Sequence, residues 1–353
     1  MTEGHARTWM LGIVTTILVL WALKAAAAVT VPVIFALFLA LVIAPVERWV
    51  REAMPEKLGW LGLIAALLVL MLGLAIFLAG FGVAIWQATT VFPQVQDAMA
   101  EGIRESRDLS FMGMTLGDIS GRLGDWAMEF VGGLTQGLMA TSGYLLSATI
   151  IVIFIVALML AERGRLARAV AHAFRPESEA EIMEVAEVTA HKLRLFLITR
   201  LGVGILNAAL YVLWLWLFDM DLLFVWALLT VLLNFIPNIG SVITGLLPVL
   251  YALLTKDAGT VLIIGTGLFV IEQVIGNFVD PKVQGQQVAL SPVAILLGLL
   301  VWGWVLGIAG TLLSTPILIG ILVIASHVPG WERAALLLSN QTTLEGLREA
   351  TQG

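Results

Sequence analysis

The chain has 353 residues, of which 60% are apolar and 12% are charged, and its net charge is −6. Several uncharged runs exceed 18 residues, which a soluble domain of this length does not need, so the composition indicates an all-α polytopic helical membrane protein. The charge forms no basic stripe, which argues against a nucleic-acid partner, and the lack of cysteine excludes disulfide and thiolate chemistry.

Residues 1–92 are predicted to form the amino-terminal transmembrane helices. Trp9–Leu23 and Ala25–Ala44 are apolar and are separated only by Lys24. A signal peptide would lead into a polar mature region, and because the second run is again apolar we interpret the two runs as two spans. Leu58–Gln96 contains no charge and is long enough for one span that continues past the bilayer.

Residues 93–140 are predicted to be an exterior, periplasmic segment. Like charges four residues apart and five glycines weaken helix over 97–129, so we expect short helices with loops. Residues 141–161 return to the membrane as a transmembrane helix. Residues 162–200 contain seven Lys or Arg residues and are predicted to be cytoplasmic. Within them, Glu177–Arg200 has an apolar face, acidic first turns and basic last turns, typical of an amphipathic helix on the membrane surface.

Residues 201–328 form a carboxyl-terminal membrane region that contains the uncharged run Leu222–Thr255. Its 34 residues would reach about 50 Å as one helix, whereas a hydrocarbon core is about 30 Å thick, so the helix must break. Proline lacks an amide proton, glycine permits positive φ, and asparagine amides can satisfy freed backbone groups. The break is therefore expected at Pro237–Gly240, with Asn234 and Asn238 beside it. Such a break marks either a substrate site or a tight turn between ordinary spans, and the run either crosses twice or re-enters.

The rest of this region supplies further passes. Leu201–Phe218 and Ala258–Val279 span once each, and Lys282–Glu332 encloses 49 uncharged residues, enough for two passes, with Gly307 near their middle. The tail at 329–353 is polar and is predicted to be soluble and cytoplasmic. With the amino terminus inside, 14 of the 19 Lys and Arg residues lie on the cytoplasmic side, so the positive-inside rule favours two cytoplasmic termini. About eight transmembrane helices are expected, one of them broken or re-entrant.

A series of motif residues in the carboxyl-terminal third resembles a known family. The series is Ile236-Pro237-Asn238-Ile239-Gly240, Pro248, Glu272, Asp280-Pro281-Lys282, Gly285, Leu290-Ser291-Pro292, Gly307, Gly310 and Pro316. Its order and spacing are similar to those of the autoinducer-2 exporter family, the PerM-type bacterial permeases, from about residue 192 to residue 324. Family members usually have proline where this chain has Ser241, which should loosen the turn. The resemblance implies structural roles for Pro281, Gly285, Pro292, Gly307, Gly310 and Pro316.

The resemblance implies a helical inner-membrane transporter that is a homo-oligomer, with a pentamer as the assembly it suggests. Residues 201–328 would then be its transport core. Some family members resemble exporters of the quorum-sensing signal autoinducer-2, and others resemble sodium or lithium/proton antiporters. No Gly-x-Ser-x-Gly elbow or His-Glu-x-x-His motif points to an enzyme, and the four histidines have no metal-ligand spacing, so we expect no catalysis, metal or cofactor. A non-transporting membrane scaffold is a further alternative.

Glu272 is the only acidic residue well inside a predicted span, and a carboxylate there is costly enough to be a functional candidate. Helical spacing puts Gln273, Asn277 and Asp280 on one face, with Gln284 continuing the line. In a proton-coupled exporter Glu272 would bind and release the proton. Amides would donate hydrogen bonds to a hydroxylated substrate from Asn234, Asn238, Gln273 and Asn277.

In a cation antiporter, Glu272 and Asp280 would instead supply oxygen atoms alternately to sodium and to protons. The structural alternative is that Glu272 pairs with a neighbouring helix or a lysine and that Asp280 faces the cytoplasm beside Lys282. In either transporter, Pro237 and Gly240 are expected to shape the cavity.

Overall fold

The computed structural model describes residues 3–105, 110–111, 114–115, 133, 136–137, 143, 145–165, 169, 176–237, 239–284, 290–328 and 330–351. The helices in chain order are α1 (Glu3–Ala25), α2 (Ala27–Ala53), α3 (Trp60–Glu105), α4 (Leu145–Arg165), α5 (Pro176–Trp216), α6 (Leu223–Leu233), α7 (Ile239–Thr255), α8 (Ala258–Val274), α9 (Asp280–Gln284), α10 (Pro292–His327), α11 (Glu332–Leu338) and α12 (Leu344–Thr351). A short 3-10 helix (Glu56–Leu58) precedes α3, and a π-turn (Ile275–Val279) joins α8 to α9. The two-residue strands β1 (Ser110–Phe111) and β2 (Met114–Thr115) pair antiparallel. The prediction of an all-α polytopic protein is confirmed.

Among the described residues, six helices are long and apolar enough to cross a membrane: α2, Trp60–Val91 of α3, α4, Ile182–Trp216 of α5, Ala258–Val283, and α10. Shorter apolar segments are Met10–Ala25, α6 and α7. The apolar part of α3 continues as helix to Glu105, as expected of a span that extends past the bilayer. In contrast, α5 runs through Arg200 without interruption, so the expected surface helix and the span after it are one helix. The division of the chain at residue 200 stays a prediction.

The chain groups into two compact units. The first comprises residues 1–70, 149–198 and 286–353, and the second comprises residues 71–148 and 199–285. Each unit contains one hairpin of apolar helices with at least one short arm.

In the first unit, α10 folds back on itself. Gly307 has φ 66° and ψ −149°, a conformation that glycine adopts far more readily than other residues. A Cβ on Gly310 would collide with the Trp302 carbonyl group, and one on Gly303 would lie 2.9 Å from the Thr311 hydroxyl oxygen. The two arms therefore pack antiparallel through glycines. The sequence predicts two apolar segments around Gly307, and the structure has them as a hairpin whose first arm, about 15 residues, reaches only about 22 Å.

The carboxyl-terminal tail packs against this hairpin. The Ser291 amide, at the start of α10, donates a hydrogen bond to the Leu338 carbonyl oxygen at 2.9 Å. At the other end of α10, the Ser326 hydroxyl donates to Thr351 Oγ1 at 3.1 Å, and Thr351 is buried. The tail is polar, as predicted, but it is docked on the membrane region.

In the second unit, the long uncharged run breaks a few residues before the predicted position. α6 ends at Leu233 and α7 begins at Ile239, so the break covers residues 234–238. The 11 residues of α6 reach about 17 Å, too short to cross a core of about 30 Å, which favours re-entry over two crossings. Gly240 is helical and does not have the expected positive φ; glycine is needed there because a Cβ would collide with the Leu233 carbonyl group. Asn238 lies outside the described residues.

The core of the second unit lies between α5, α7 and α8. Tyr211 and Leu215 of α5 and Ile264 of α8 are fully buried in it. The Trp214 ring occupies the space that a Cβ on Gly267 would need, and its Nε1 donates a hydrogen bond to the Ile264 carbonyl oxygen at 3.2 Å. This close contact holds α5 against α8 and sets the geometry of the polar groups between them.

Candidate functional site

One face of α5 carries buried polar residues within the second unit. Arg200, Asn207 and Tyr211 follow one another at spacings of seven and four residues, which puts them on the same side of the helix. Their exposed fractions are 7%, 3% and 0%. Polar groups buried to this extent need hydrogen-bond partners, and the helices that pack on α5 supply them.

The Glu272 carboxylate of α8 is held by two neutral donors from this face. Asn207 Nδ2 donates to Glu272 Oε1 at 2.9 Å, and the Tyr211 hydroxyl donates to the same oxygen at 2.8 Å. No hydrogen bond to Oε2 and no ion pair to Glu272 is found in the described part of the chain. Oε2 of Glu272 is therefore not engaged by a counter-ion among the described residues.

Tyr211 connects this carboxylate to α7. The Thr244 side chain lies within hydrogen-bonding range of the Tyr211 hydroxyl. A Cβ on Gly245 would lie 3.5 Å from the same hydroxyl oxygen, so a glycine leaves room for the phenol. Asn207 Oδ1 is buried without a hydrogen-bond partner among the described residues. The cluster thus contains a carboxylate oxygen and an amide oxygen that accept no hydrogen bond from the described part of the chain.

A π-turn separates Glu272 from the second acidic residue, Asp280. Residues Ile275–Val279 form i→i+5 hydrogen bonds, which place more residues in each turn than an α-helix does. The extra residue turns Asp280 toward α5, where its Oδ2 lies 3.2 Å from Nη1 of Arg200. Only 8% of the Arg200 side chain and 24% of the Asp280 side chain are exposed. Asp280 is thus compensated by a buried cation, Arg200, a pairing that neither the antiporter hypothesis nor the alternative position beside Lys282 includes.

The helix break contacts the same face of α5. Asn234 Nδ2 donates a hydrogen bond to the Arg200 carbonyl oxygen at 2.7 Å. A Cβ on Gly204 would lie 3.2 Å from this nitrogen, so the small residue on α5 allows Asn234 to approach. The sequence predicts that Asn234 satisfies backbone groups freed by the helix break. In the structure its amide nitrogen instead donates a hydrogen bond to the backbone of α5.

Other predicted site residues lie apart from this cluster. Asn277 Nδ2 donates to Gln273 Oε1 at 2.7 Å, and both side chains are exposed. The expected common face of Gln273, Asn277 and Asp280 is not found, because the π-turn rotates Asp280 inward. Pro237 is partly buried in the break, Pro281 is exposed in α9, Pro292 is the first residue of α10, and Gly310 and Pro316 are buried in α10. Gly285 and the side chain of Gln284 lie outside the described part.

Three residues of the cluster escape the sequence patterns. Arg200 is counted with the basic segment before it, while Asn207 and Tyr211 lie in what reads as an ordinary span. The one sequence signal in this helix is the amide side chain of Asn207 in the middle of a span, because a buried polar group in a membrane helix is costly. Their partners, 61 to 80 residues away, are visible only in the structure.

Chemically, the cluster offers acceptors and neutral donors and no metal-binding set. Among the residues that the structure describes, no group of three or more His, Asp or Glu side chains could hold a metal ion. Several helices able to cross a bilayer, with a partly buried carboxylate between α5 and α8, define a multi-pass membrane protein with a candidate transport site. A sequence model of the family described as "AI-2E family transporter" matches residues 12–330, so this chain belongs to that family. The resemblance found in the carboxyl-terminal third is confirmed and extends over nearly the whole chain.

Individual relatives are similar over their full length. The chain is 27% identical to "AI-2 transport protein TqsA" of Escherichia coli (strain K12), with 94% of each chain covered. It is 29% identical to a "Putative transport protein" of Haemophilus influenzae, covering 94% of this chain and 96% of the relative. It is 25% identical to "Putative transport protein YhhT" of Escherichia coli (strain K12), with 93% of each covered. All three names describe transport.

Proposed function

We propose that this family transporter exports a small polar solute of the autoinducer-2 type and that Glu272 couples the export to a proton gradient. The observation that carries the proposal is that, among the described residues, Glu272 has two neutral hydrogen-bond donors, both on Oε1, and no cation. A carboxylate within a span changes the charge of its surroundings when it takes up a proton, and here no described cation opposes that change. Asp280, which pairs with Arg200, is assigned a structural role.

The chemistry of the cluster supports a solute that donates hydrogen bonds. Glu272 Oε2 and Asn207 Oδ1 are acceptors without a partner among the described residues, and hydroxyl groups of a solute would satisfy them. Tyr211 and Asn207 would keep Oε1 in place while Oε2 gains or loses its proton. Pro237 and Gly240 shape the neighbouring break, which we propose lines the path of the solute.

A sodium or lithium/proton antiporter is the second candidate. Hard cations prefer oxygen ligands, and the Tyr211 phenol oxygen lies 2.8 Å from a carboxylate oxygen of Glu272, with the amide group of Asn207 beside them. In this version Asp280 is not a ligand, because its oxygen is engaged by Arg200. A membrane scaffold without transport would need none of these contacts, and we propose no enzymatic activity.

Flux through the purified protein separates these functions. The protein is reconstituted in liposomes, and autoinducer-2 movement is measured under an imposed proton gradient or an imposed sodium gradient. Autoinducer-2 flux that follows the proton gradient supports the exporter. Proton flux that sodium or lithium elicits without autoinducer-2 supports the antiporter. Absence of any gradient-driven flux contradicts both and leaves the scaffold.

We further propose a homo-oligomer in the bacterial inner membrane with both termini cytoplasmic. The charge distribution supports this orientation, and a re-entrant α6–α7 pair leaves it unchanged because the chain returns to the side it came from. The chain has no cysteine, so single cysteines can report the orientation. In intact cells, a cysteine at the exposed Ala258 should react with an impermeant thiol reagent, and one at the exposed Glu349 should not. The reverse pattern would contradict the orientation.

A further inference from the structure

The first unit contains an apolar groove that the proposed transport site does not use. Its volume is about 590 Å³, and it lies between α2, the amino-terminal half of α5 and the end of α10. Of its eleven lining residues, only Thr189 and His327 have polar side chains, and the Thr189 hydroxyl is already bonded to the Val185 carbonyl oxygen at 2.7 Å. Aliphatic residues such as Leu41 and Leu193 form the rest. A groove of this size and character suits an apolar ligand.

Positive charge lies along one edge of the groove. Arg194, next to the lining residue Leu193, donates from Nε to the Leu41 carbonyl oxygen at 3.0 Å, which holds the guanidinium at the groove. Arg48 of α2 is close enough to Arg194 for their charges to repel, and Glu187 is the acidic residue that attracts Arg194. Arg48 and Arg194 thus form a pair of cations at this edge, with Glu187 near Arg194.

We propose that this groove binds one acyl chain of an anionic phospholipid, with the lipid phosphate against Arg194 and Arg48. An apolar groove with a cationic edge matches a ligand that has an apolar tail and a negative head. Arginine binds phosphate with two parallel hydrogen bonds, and each basic residue near a membrane surface adds about 1 kcal/mol of attraction for anionic lipid. Bilayer lipid is also the ligand that surrounds α2 and α5, which are both candidate spans.

The wild-type protein provides the first test. The full-length chain is purified, stripped of lipid in mild detergent and titrated with phosphatidylglycerol or phosphatidylcholine, and bound lipid is counted by native mass spectrometry. An attraction of about 1 kcal/mol per arginine is roughly fivefold in affinity, so the two arginines together predict that one phosphatidylglycerol per chain is retained about 25-fold more strongly than phosphatidylcholine. This preference should shrink as salt screens the phosphate contact. Equal retention of the two lipids by the wild-type protein would overturn the proposal.

Variants then locate the site. Ala190→Trp, which fills the groove, should lower retention of both lipids, whereas Arg48→Gln with Arg194→Gln should remove the preference and spare phosphatidylcholine binding. Arg165→Gln is the matched control, since Arg165 is exposed, pairs with Glu162 and lies outside the groove lining, so the preference should be unchanged.

The variants also test other occupants of the groove. An unchanged preference in the double arginine variant would contradict the phosphate contact. A lipid-free dimer that Ala190→Trp dissociates would make the groove a contact between copies of the chain and would also contradict the proposal. Because the wild-type titration needs no substitution, poor folding of a variant does not remove the test.

Discussion

Glu272 and Asp280 lie eight residues apart on one helical segment and both face α5, yet they are bound in opposite ways. Asn207 and Tyr211, both neutral, hold Glu272 through one oxygen, whereas Asp280 pairs with the buried guanidinium of Arg200. A buried ion pair resists any change of charge, because losing one charge leaves the other without its partner. Neutral donors impose no such cost. This difference is why we propose proton coupling at Glu272 and a structural role at Asp280.

The largest expected effect comes from breaking the ion pair. Asp280→Ala removes the counter-charge of buried Arg200 and should destabilise the protein by about 2–4 kcal/mol, the lower part of this range applying because Asp280 is partly exposed. Glu272→Gln should lower the stability by less than about 1 kcal/mol, since the glutamine amide oxygen can still accept hydrogen bonds from Asn207 and Tyr211. Unfolding of the purified variants in detergent measures both changes.

A double substitution controls this comparison. Arg200→Leu combined with Asp280→Leu replaces the pair with apolar side chains and should recover most of the lost stability, as buried pairs often allow. Equal losses of stability in Asp280→Ala and Glu272→Gln would mean that the two carboxylates are bound in the same way.

The π-turn gives the next largest effect. Gly276 lies within it, is exposed and has no neighbour within 4 Å of where its Cβ would be, so an alanine inserted after it meets no packed side chain. The added residue should rotate Asp280 by about 100° away from Arg200, with a loss of roughly 2–3 kcal/mol of stability. In an Asp280→Ala background the same insertion should change stability little, because it acts on the same contact. Fully additive losses in this cycle would show that the π-turn does not position Asp280.

Two glycines on α5 test the contact between the break and this face. Gly204→Ala would bring a Cβ to 3.2 Å from Asn234 Nδ2, whereas Gly202→Ala meets nothing within 4 Å. Alanine gains about 1 kcal/mol over glycine inside a helix, so Gly202→Ala should be neutral or stabilising. Gly204→Ala should be less stable than Gly202→Ala by about 1–2 kcal/mol because of crowding. Identical unfolding midpoints would argue against a close approach of Asn234.

The smallest effect is expected at an exposed carboxylate, Asp257, which caps α8. Hydrogen bonds from the Thr260 side chain and backbone lower the pKa of Asp257 below its ordinary value. A depressed pKa means that its contribution to α8 is complete above the ordinary value of about 3.9 and is lost as the pH falls through the lowered one. Exchange protection of the Gly259 and Thr260 amides should therefore fall only below about pH 4. In Asp257→Asn the fall should vanish, and a transition near neutral pH would contradict this assignment.

Local sequence rules predict the helices and their breaks, and they fail where a partner is distant in sequence. The length of Leu222–Thr255 requires a break, and glycine at 307 is where α10 turns. Arg200 reads as one more basic residue because Asp280 is 80 residues away. Regular helical spacing does not reveal a π-turn, so it predicts Asp280 on the face of Gln273 and Asn277, whereas the structure has it against Arg200. Gly240 allows a close approach to the Leu233 carbonyl group across the break, and the sequence alone cannot distinguish this need for glycine from a need for positive φ.

The central claim is that Glu272, and not Asp280, couples the proton gradient to transport, and flux in Glu272→Gln tests it most directly. Glutamine keeps the size and the accepting oxygen of Glu272 and removes its titration. In liposomes, the variant should lose proton-gradient-driven flux of autoinducer-2 and keep exchange between two equally loaded sides, because exchange needs binding and no net proton movement. The Arg200→Leu, Asp280→Leu variant should keep both. Wild-type gradient-driven flux with unchanged pH dependence in Glu272→Gln would contradict the coupling role of Glu272.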